Sequence, residues 1–435
     1  MPYRLSILCF VLLAIILVAG CPDPSGLDVL SEPETVQGLV ERLDGTLKTN
    51  RDGEIIGIVI ESNELTIDDM QLIAQLPDLE SVRLKSAFLD DQFVEALSGL
   101  TQLKSVDIES TNITDRSLEI LKELPNIETL SLRQNVKLSD KAIALFAEFP
   151  NLKTLNILYN NHLSPASLFG LGKLSSLRVL DVRGCQVGDD TLYFISKLEN
   201  LEELRICSNQ VTNEGIEDLV NCKNLKILEL QDTSIEAGCA VFFKEMEKLR
   251  SLRIFRAPQF VAKAVSELGV LTNLETLELR GMSCSNDALK ALKPLTNLKT
   301  VEFSELKGVD AETIIDVLKA YPKLESIRIF AMLSVDDSVA TYLATRPGLK
   351  NIGLPVTSIT DKGLDALTAI QNLTSLEIFG NKELITLEGA RVLAKFKNLR
   401  RLIIPETLED DELYLEILKS SPRCNITVRT YSQEG

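Results

Sequence analysis

Along most of the chain the spacing of apolar positions changes in a fixed order. One stretch reads Leu103-Lys-Ser-Val106-Asp-Ile108-Glu-Ser-Thr111-Asn-Ile113-Thr114-Asp115, followed by Leu118, Leu121 and Leu124. Val106 and Ile108 alternate with polar residues, the period of a strand, whereas Leu118, Leu121 and Leu124 recur in the three-residue steps of a helix face. Thr114 with Asp115, Ser139 with Asp140 and Thr360 with Asp361 supply N-cap oxygens and a first-turn negative charge where each helix should begin. Pro or Asn before the next apolar residue, as in Leu124-Pro125-Asn126-Ile127 and Phe149-Pro150-Asn151-Leu152, stops the helix and restarts the strand. Each unit is therefore predicted to be one strand handing over to one helix.

The unit recurs every 24 to 26 residues from about Gly53 onward. Copies open at Ile55, Leu79, Leu103, Ile127, Leu152, Leu177, Leu201, Leu225, Leu249, Leu274, Leu298, Leu324, Leu349, Leu373 and Leu399, about fifteen in all. The shared phrase, L-x-x-L-x-L-x-x-N/C/T-x-L/I, resembles the leucine-rich repeat over nearly the whole chain after its first fifty residues. Its ninth position holds Asn135, Asn160, Cys185, Asn209, Thr233, Thr357, Asn381 and Thr407, side chains able to bond backbone in the turn after the strand. Ala87, Ala257, Met282, Leu306 and Met332 cannot, so the ladder should be less regular around the ninth to twelfth repeats. The repeat length and the phrase Thr360-Asp361-Lys362-Gly363-Leu364 look most like the helix-backed repeats of F-box-associated and bacterial effector proteins.

Such units imply an α/β solenoid. Strands stack about 4.8 Å apart while packed helices need about 8 to 10 Å, so the array bends with a parallel sheet inside and helices outside. Fifteen strands at that spacing make a concave arc of roughly 70 Å, a size suited to a protein and far larger than a metabolite needs. Residues 34–52, with Val36, Leu39, Val40 and Leu43 apolar, read as an N-terminal capping helix. The repeats fill 53–421. Residues 422–435 read as a C-terminal cap and tail, with a short closing strand from Pro422 to Arg429.

The strand residues between the leucines should face the concave side. Nine of them are positive (Arg83, Lys85, Arg133, Arg183, Arg205, Arg253, Arg280, Arg328, Arg401) and nine negative (Glu61, Asp107, Glu109, Asp181, Glu203, Glu229, Glu278, Glu302, Glu377), so this face is neutral although the chain carries a net charge of -17. The seventh positions of the C-terminal half hold Phe255, Phe330, Pro355, Phe379 and Pro405, with Ile403 beside the last. Aromatic residues beside Arg have the composition of binding hot spots. Phe255, Phe330, Phe379, Pro355 and Ile403, ringed by Arg253, Arg280 and Arg328, are thus the candidate partner-binding patch. Cys207 lies near Arg205 and Arg183, where a cationic setting would lower a thiol pKa, but a reactive thiol is not expected of it.

The first twenty residues do not belong to the repeat. Arg4 precedes an apolar run from Leu5 to Ala19, shorter than the roughly 20 residues a membrane span needs, which marks a signal sequence. Val18-Ala19-Gly20-Cys21 resembles the lipobox of bacterial lipoproteins, which implies that Cys21 becomes a lipidated N-terminus. An ordinary signal peptide and an uncleaved anchor are the alternatives, and all three place the rest outside the cytoplasm. Residues 21–33, opening Pro22-Asp23-Pro24-Ser25-Gly26, then form a tether. The negative charge opposes nucleic-acid binding and repels anionic lipid, so membrane attachment would rest on Cys21.

Catalysis finds little support. His162 is the only histidine, next to Asn160 and Asn161 in a turn, with no nucleophile motif near it. No phosphate-cradling glycine loop appears, and the scattered cysteines show no CxxC pair, so neither metal nor cofactor nor small-molecule substrate is expected. F-box likeness implies repeat geometry and partner capture only, because an exported chain with so short an N-terminal segment has no room for a ubiquitin-ligase adaptor. The sequence therefore points to a lipid-anchored, non-catalytic, extracytoplasmic scaffold that binds a protein. A secreted or surface adhesin or effector is the alternative.

Overall fold

The computed structural model describes residues 35–381 and 384–430. The signal sequence, Cys21, the tether and the last five residues lie outside the described residues. Among the described residues no helix is long and apolar enough to cross a membrane.

In chain order the strands are β1 (Thr46–Thr49), β2 (Ile55–Glu61), β3 (Ser81–Lys85), β4 (Ser105–Glu109), β5 (Thr129–Ser131), β6 (Thr154–Asn156), β7 (Val179–Asp181), β8 (Glu203–Cys207), β9 (Ile227–Gln231) and β10 (Ser251–Phe255). They continue with β11 (Thr276–Arg280), β12 (Thr300–Ser304), β13 (Ser326–Phe330), β14 (Met332–Asp336), β15 (Asn351–Gly353), β16 (Thr357–Ser358), β17 (Ser375–Glu377), β18 (Arg401–Pro405) and β19 (Asn425–Arg429). All but β14 and β16 form one sheet of 17 strands, and a helical segment follows most strands, giving the α/β leucine-rich-repeat solenoid that the periodicity predicts. Each strand from β2 on runs parallel to its neighbour, and only β1 pairs antiparallel, with β2. Segment 34–52 thus holds a short helix, Val36–Arg42, and then an edge strand rather than helix alone.

The register is uniform. Ser81 lies beside Ser105, Leu84 beside Ile108, Leu228 beside Leu252, and so on, each residue against the same position of the next repeat. The alternating Leu, Ile and Val of the strands and the helix residues behind them make one continuous core. At the strand exits the backbone turns through the left-handed region, at Ser110, Gln134, Tyr159, Gly184, Asp232, Arg256, Gly281, Glu305, Ala331, Val356 and Gly380. This turn keeps the ladder going: the Asp232, Arg256 and Glu305 N–H groups donate to Phe255, Arg280 and Phe330 carbonyls at 2.8–2.9 Å.

Beyond the turn the ninth-position side chains bond to the preceding repeat. Buried Asn135 accepts from Thr111 N–H at 3.0 Å and donates to the Ile108 carbonyl at 2.8 Å, and Asn160 accepts in turn from Asn135 N–H at 2.9 Å. Asn381 does the same for Thr357. Asn209, Thr233 and Thr407 do not join: Asn209 and Thr407 are exposed, and the buried Thr233 hydroxyl has no hydrogen-bond partner among the described residues. Between β11 and β17 the loops instead pair with one another, Ser283 with Lys307 and β14 with β16.

A second inter-repeat staple explains the Thr-Asp-x-Gly-Leu phrase. The Asp that opens one helix accepts from the N-cap of the next: Asp337 from Thr360 N–H at 2.8 Å and its hydroxyl at 2.6 Å, Asp361 from Thr386 at 2.8 and 2.8 Å, Asp189 from Thr212 at 2.9 and 2.7 Å. The same bond joins Asp91 to Thr114 and Asp140 to Ser164. The glycine of the phrase makes room for that carboxylate. A Cβ on Gly363 would lie 2.3 Å from Asp337 Oδ1, and one on Gly389 2.0 Å from Asp361 Cγ. Ser117 and Ser167 carry a Cβ at the same place in the Asp91 and Asp140 staples, so at Gly363 a Cβ would require the doubly bonded Asp337 carboxylate to shift. Gly363→Ala should therefore lower stability in urea by about 1–3 kcal/mol. Gly99→Ala, where nothing lies within 4 Å, should be neutral or gain up to about 1 kcal/mol through the unfolded chain. Equal effects of the two substitutions would show that the staple does not constrain the fold.

Candidate binding face

Alternate strand residues place three rows of side chains on the concave surface. The central row reads Val59, Arg83, Asp107, Ser131, Asn156, Asp181, Arg205, Glu229, Arg253, Glu278, Glu302, Arg328, Gly353, Glu377, Ile403 and Thr427. Residues of one row on neighbouring strands stand about 5 Å apart, so opposite charges attract and like charges repel directly. The sign accordingly alternates from Asp181 to Glu278.

These charges are joined to each other. Arg183 bonds Asp181 at 2.7 Å and Glu229 at 2.8 Å, Arg205 meets Glu203 at 2.5 Å, and Arg253 lies between Glu229 at 3.7 Å and Glu278 at 3.1 Å. Asp181 and Glu229 are only 2 % and 5 % exposed, so their arginines are what makes their burial tolerable. Arg328 reaches Glu302 at 3.0 Å and, two strands away, Glu377 at 3.0 Å. It crosses over Gly353, where a Cβ would sit 3.0 Å from Arg328 Cγ and 3.1 Å from Glu377 Oε2. Arg280 pairs with Glu305 at 2.9 Å. The three arginines of the candidate patch, Arg253, Arg280 and Arg328, are thus not free to greet a partner; each is already bound to a carboxylate.

The aromatic half of the patch is also revised. Phe330, Phe379 and Ile403 form a separate cluster, exposed by 7 %, 6 % and 2 %, with Ala331 and Val356 packed against it. Phe330 and Phe379 rings lie 6.4 Å apart, and the guanidiniums of Arg280 and Arg328 sit 5.2 and 4.9 Å from the Phe330 ring. Pro355 is buried too. Inward curvature brings equivalent positions together, and long arginines fold over the rings, so a row that reads as solvated is closed over by its own neighbours. Phe255, three strands from Phe330, stays half-buried between Gln231 and Arg280 and does not join the cluster.

Arg401 remains open. It is exposed at the start of β18 with no ion pair among the described residues, and it borders a recess of about 350 Å³ over Gly353, with Ser326, Asn351, Ser375 and Ile403. Gly353, Glu305 and Arg429, whose guanidinium lies 5.9 Å from the Phe379 ring, were not singled out from the sequence. Charge alternation at the repeat spacing was the available signal for the pairing.

The candidate reactive groups are quiet. Burial, with the Asp232 carboxylate that its S–H meets at 3.2 Å, pushes the Cys207 thiol up to about 11, the opposite of a cation-activated thiol. His162 is exposed, its Nε2 2.7 Å from the Leu138 carbonyl. No group of three or more His, Cys, Asp or Glu among the described residues could hold a metal ion.

The ladder has one weak joint. Glu278 and Glu302 are neighbours of like charge. Burial raises the Glu278 pKa; Arg253 opposes the rise and Glu302 adds to it. A carboxyl whose folded pKa lies above its unfolded value stabilises the fold below about pH 4.3 and loses that contribution as pH rises through the folded value. Glu278→Gln should therefore raise the melting temperature at pH 7, and the gain should shrink toward zero below about pH 4. A lower melting temperature at pH 7 would show that the Arg253 pairing outweighs burial and the Glu302 repulsion.

Comparison with known proteins places these features in a family. A family model described as a leucine-rich repeat region matches residues 141–410. An internalin of Listeria monocytogenes is 20% identical, over 92% of this chain and 95% of that one, with a TM-score of 0.43. A chain of the yeast Rad7 and Elc1 complex is 17% identical, over 78% and 87%, with a TM-score of 0.54. A leucine-rich-repeat protein of Leptospira interrogans is 17% identical, over 84% and 99%, with a TM-score of 0.41. No curated protein matches the chain.

Proposed function

Because the chain belongs to the leucine-rich-repeat family, we propose that it is a non-catalytic scaffold, lipid-anchored outside the cytoplasm, that captures a protein on the concave face of its solenoid. The observation that carries this reading is the recess above Gly353: a rigid sheet floor, a free cation at Arg401 and hydroxyl and amide groups at Ser326, Ser375 and Asn351. A recess of about 350 Å³ suits one or two side chains of a protein surface. The rest of the face is polar and self-paired, so it presents a fixed shape without a competing charge of its own. Contact is therefore centred on β13, β15, β17 and β18, with the Phe330, Phe379 and Ile403 cluster as a rigid backing under Arg328 rather than as the contact itself. Phe255 and Arg253 belong to the flank.

Anchoring rests on Val18-Ala19-Gly20-Cys21. With a net charge of -17 the body offers no general attraction to anionic lipid, so attachment depends on a covalent chain at Cys21. A secreted adhesin or effector is the second reading, favoured only if Cys21 carries no lipid.

Two measurements test this. Cells fed radiolabelled palmitate should label the wild-type chain and not Cys21→Ala, with detergent-phase partitioning lost in parallel; label that persists in Cys21→Ala would remove the anchor. Cross-linking in intact cells should yield a partner adduct that falls at least tenfold in Ser375→Trp combined with Arg401→Glu, at unchanged melting temperature. An adduct as abundant in the double variant as in wild type would displace the binding site from this face.

A further inference from the structure

Among the described residues the sheet ends at β19. That strand pairs along its whole length with β18, from Arg401 beside Asn425 to Pro405 beside Arg429, and no other described strand pairs with it. Asn425 N–H donates to the Arg400 carbonyl at 2.8 Å. In a parallel strand successive residues turn their N–H and C=O to opposite sides, so those of Ile426 and Val428 point away from β18. The residues Asn425-Ile-Thr-Val-Arg429 favour extended structure, and an open edge of this kind is a template for another strand.

The side chains at this end lack the cover that inner repeats enjoy. Leu402 and Ile404 are fully buried, yet Ile426 and Val428, at the same positions one strand on, are only half-buried. Helix Asp411–Ser420 turns Glu416 and Glu412 to Arg391 of the preceding repeat, at 2.7 and 3.2 Å, and leaves Leu415 and Leu418 exposed.

Charge indicates what belongs there. Along the strand-entry rim one position is charged in most repeats, and opposite signs pair where they are neighbours: Lys104 with Glu80, Lys153 with Glu128, Lys226 with Glu202, Lys299 with Glu275 and Lys350 with Glu325, all at 2.6–2.8 Å, whereas Lys153 and Arg178, and Lys226 and Arg250, are neighbours of like charge and Thr374 is uncharged. Arg400 holds the same position in the last full repeat and has no acidic partner among the described residues. Together with Lys397 and Arg423 it lines a recess of about 260 Å³. Two copies joined through β19 would set these cations, with Arg429, against themselves. An acidic strand would answer the cluster that Lys397, Arg400 and Arg423 form at this end.

We propose that the β19 edge is a docking site for an extended, acidic segment of a protein partner, added as the next strand of the sheet with its carboxylates against Arg400 and Arg423. Backbone bonds to Ile426 and Val428 supply the attachment and the rim cations the selectivity. The site is separate from the concave recess.

The test uses the full chain in detergent and a fluorescein-labelled ten-residue peptide alternating Thr or Val with Glu, read by fluorescence anisotropy. Val428→Pro removes only an N–H that faces away from β18, a place where edge strands accept proline, so an unchanged melting temperature certifies its fold. Binding should weaken at least tenfold in Val428→Pro, at least tenfold in Arg400→Glu with Arg423→Glu, and progressively with added salt. It should be unchanged in Ser375→Trp, which fills the concave recess without altering charge at this edge. No binding to wild type, binding indifferent to Val428→Pro, or equal binding of a peptide with Lys in place of Glu would each overturn the proposal. So would a wild-type dimer in sedimentation that Val428→Pro converts to monomer, since the occupant would then be a second copy.

Discussion

The structure depends on one geometric constraint: each repeat position lies about 5 Å from its own equivalent on either side. A residue is therefore packed chiefly against residues of its own rank in the repeat. Leucine satisfies this condition by stacking, and the core needs nothing else. A charge cannot satisfy it by repetition, because a row of like charges at that spacing is unfavourable. Parts of the concave row and of the strand-entry rim answer by alternating sign from one repeat to the next, as in Asp181, Arg205, Glu229, Arg253 and in Glu80 with Lys104.

The same constraint sets the glycines that matter. A carboxylate that reaches forward to the next N-cap lies against that repeat's third helical residue, which is Gly215, Gly363 or Gly389 after Asp189, Asp337 and Asp361, and a serine that bonds the carboxylate, Ser117 or Ser167, after Asp91 and Asp140. In the sheet, Gly353 interrupts the charge row and lets Arg328 serve Glu302 and Glu377 from a single position. Both are cases of one repeat shaping the next, invisible within a single unit and plain once the units are aligned.

This is also why the sequence was legible in some respects and not in others. Period, strand, helix entry and solenoid follow from the leucines, because apolar spacing is a property of each unit by itself. The concave residues were assigned to the right face for the same reason. Their exposure was not, since whether Phe330 meets solvent depends on its own strand's Arg328 and on Phe379, Ile403 and Arg280 in other repeats, and on the curvature that brings them together. Equal numbers of positive and negative residues were visible as neutrality; that neutrality here means pairwise contact is a fact of register. Asn209 and Thr407 match the ninth position in type, yet both face solvent.

A solenoid that pairs its own charges has little left for a ligand along its middle, which shifts recognition to the places where the pairing fails. Two such places share the C-terminal third. At Gly353 a missing side chain leaves a recess beside Arg401, within the concave arc. At β19 there is no further described repeat to answer Arg400 or to cover Ile426 and Val428. The N-terminal end differs in kind, because β1 runs antiparallel to β2 and helix Val36–Arg42 buries Leu39 and Val40 against the first repeat. Among the described residues, one end of the array is therefore closed by local structure and the other presents backbone, apolar side chains and cations without acidic partners together. That asymmetry gives the solenoid a direction, and binding is expected where the repeat rule is left incomplete rather than where the repeats are most regular.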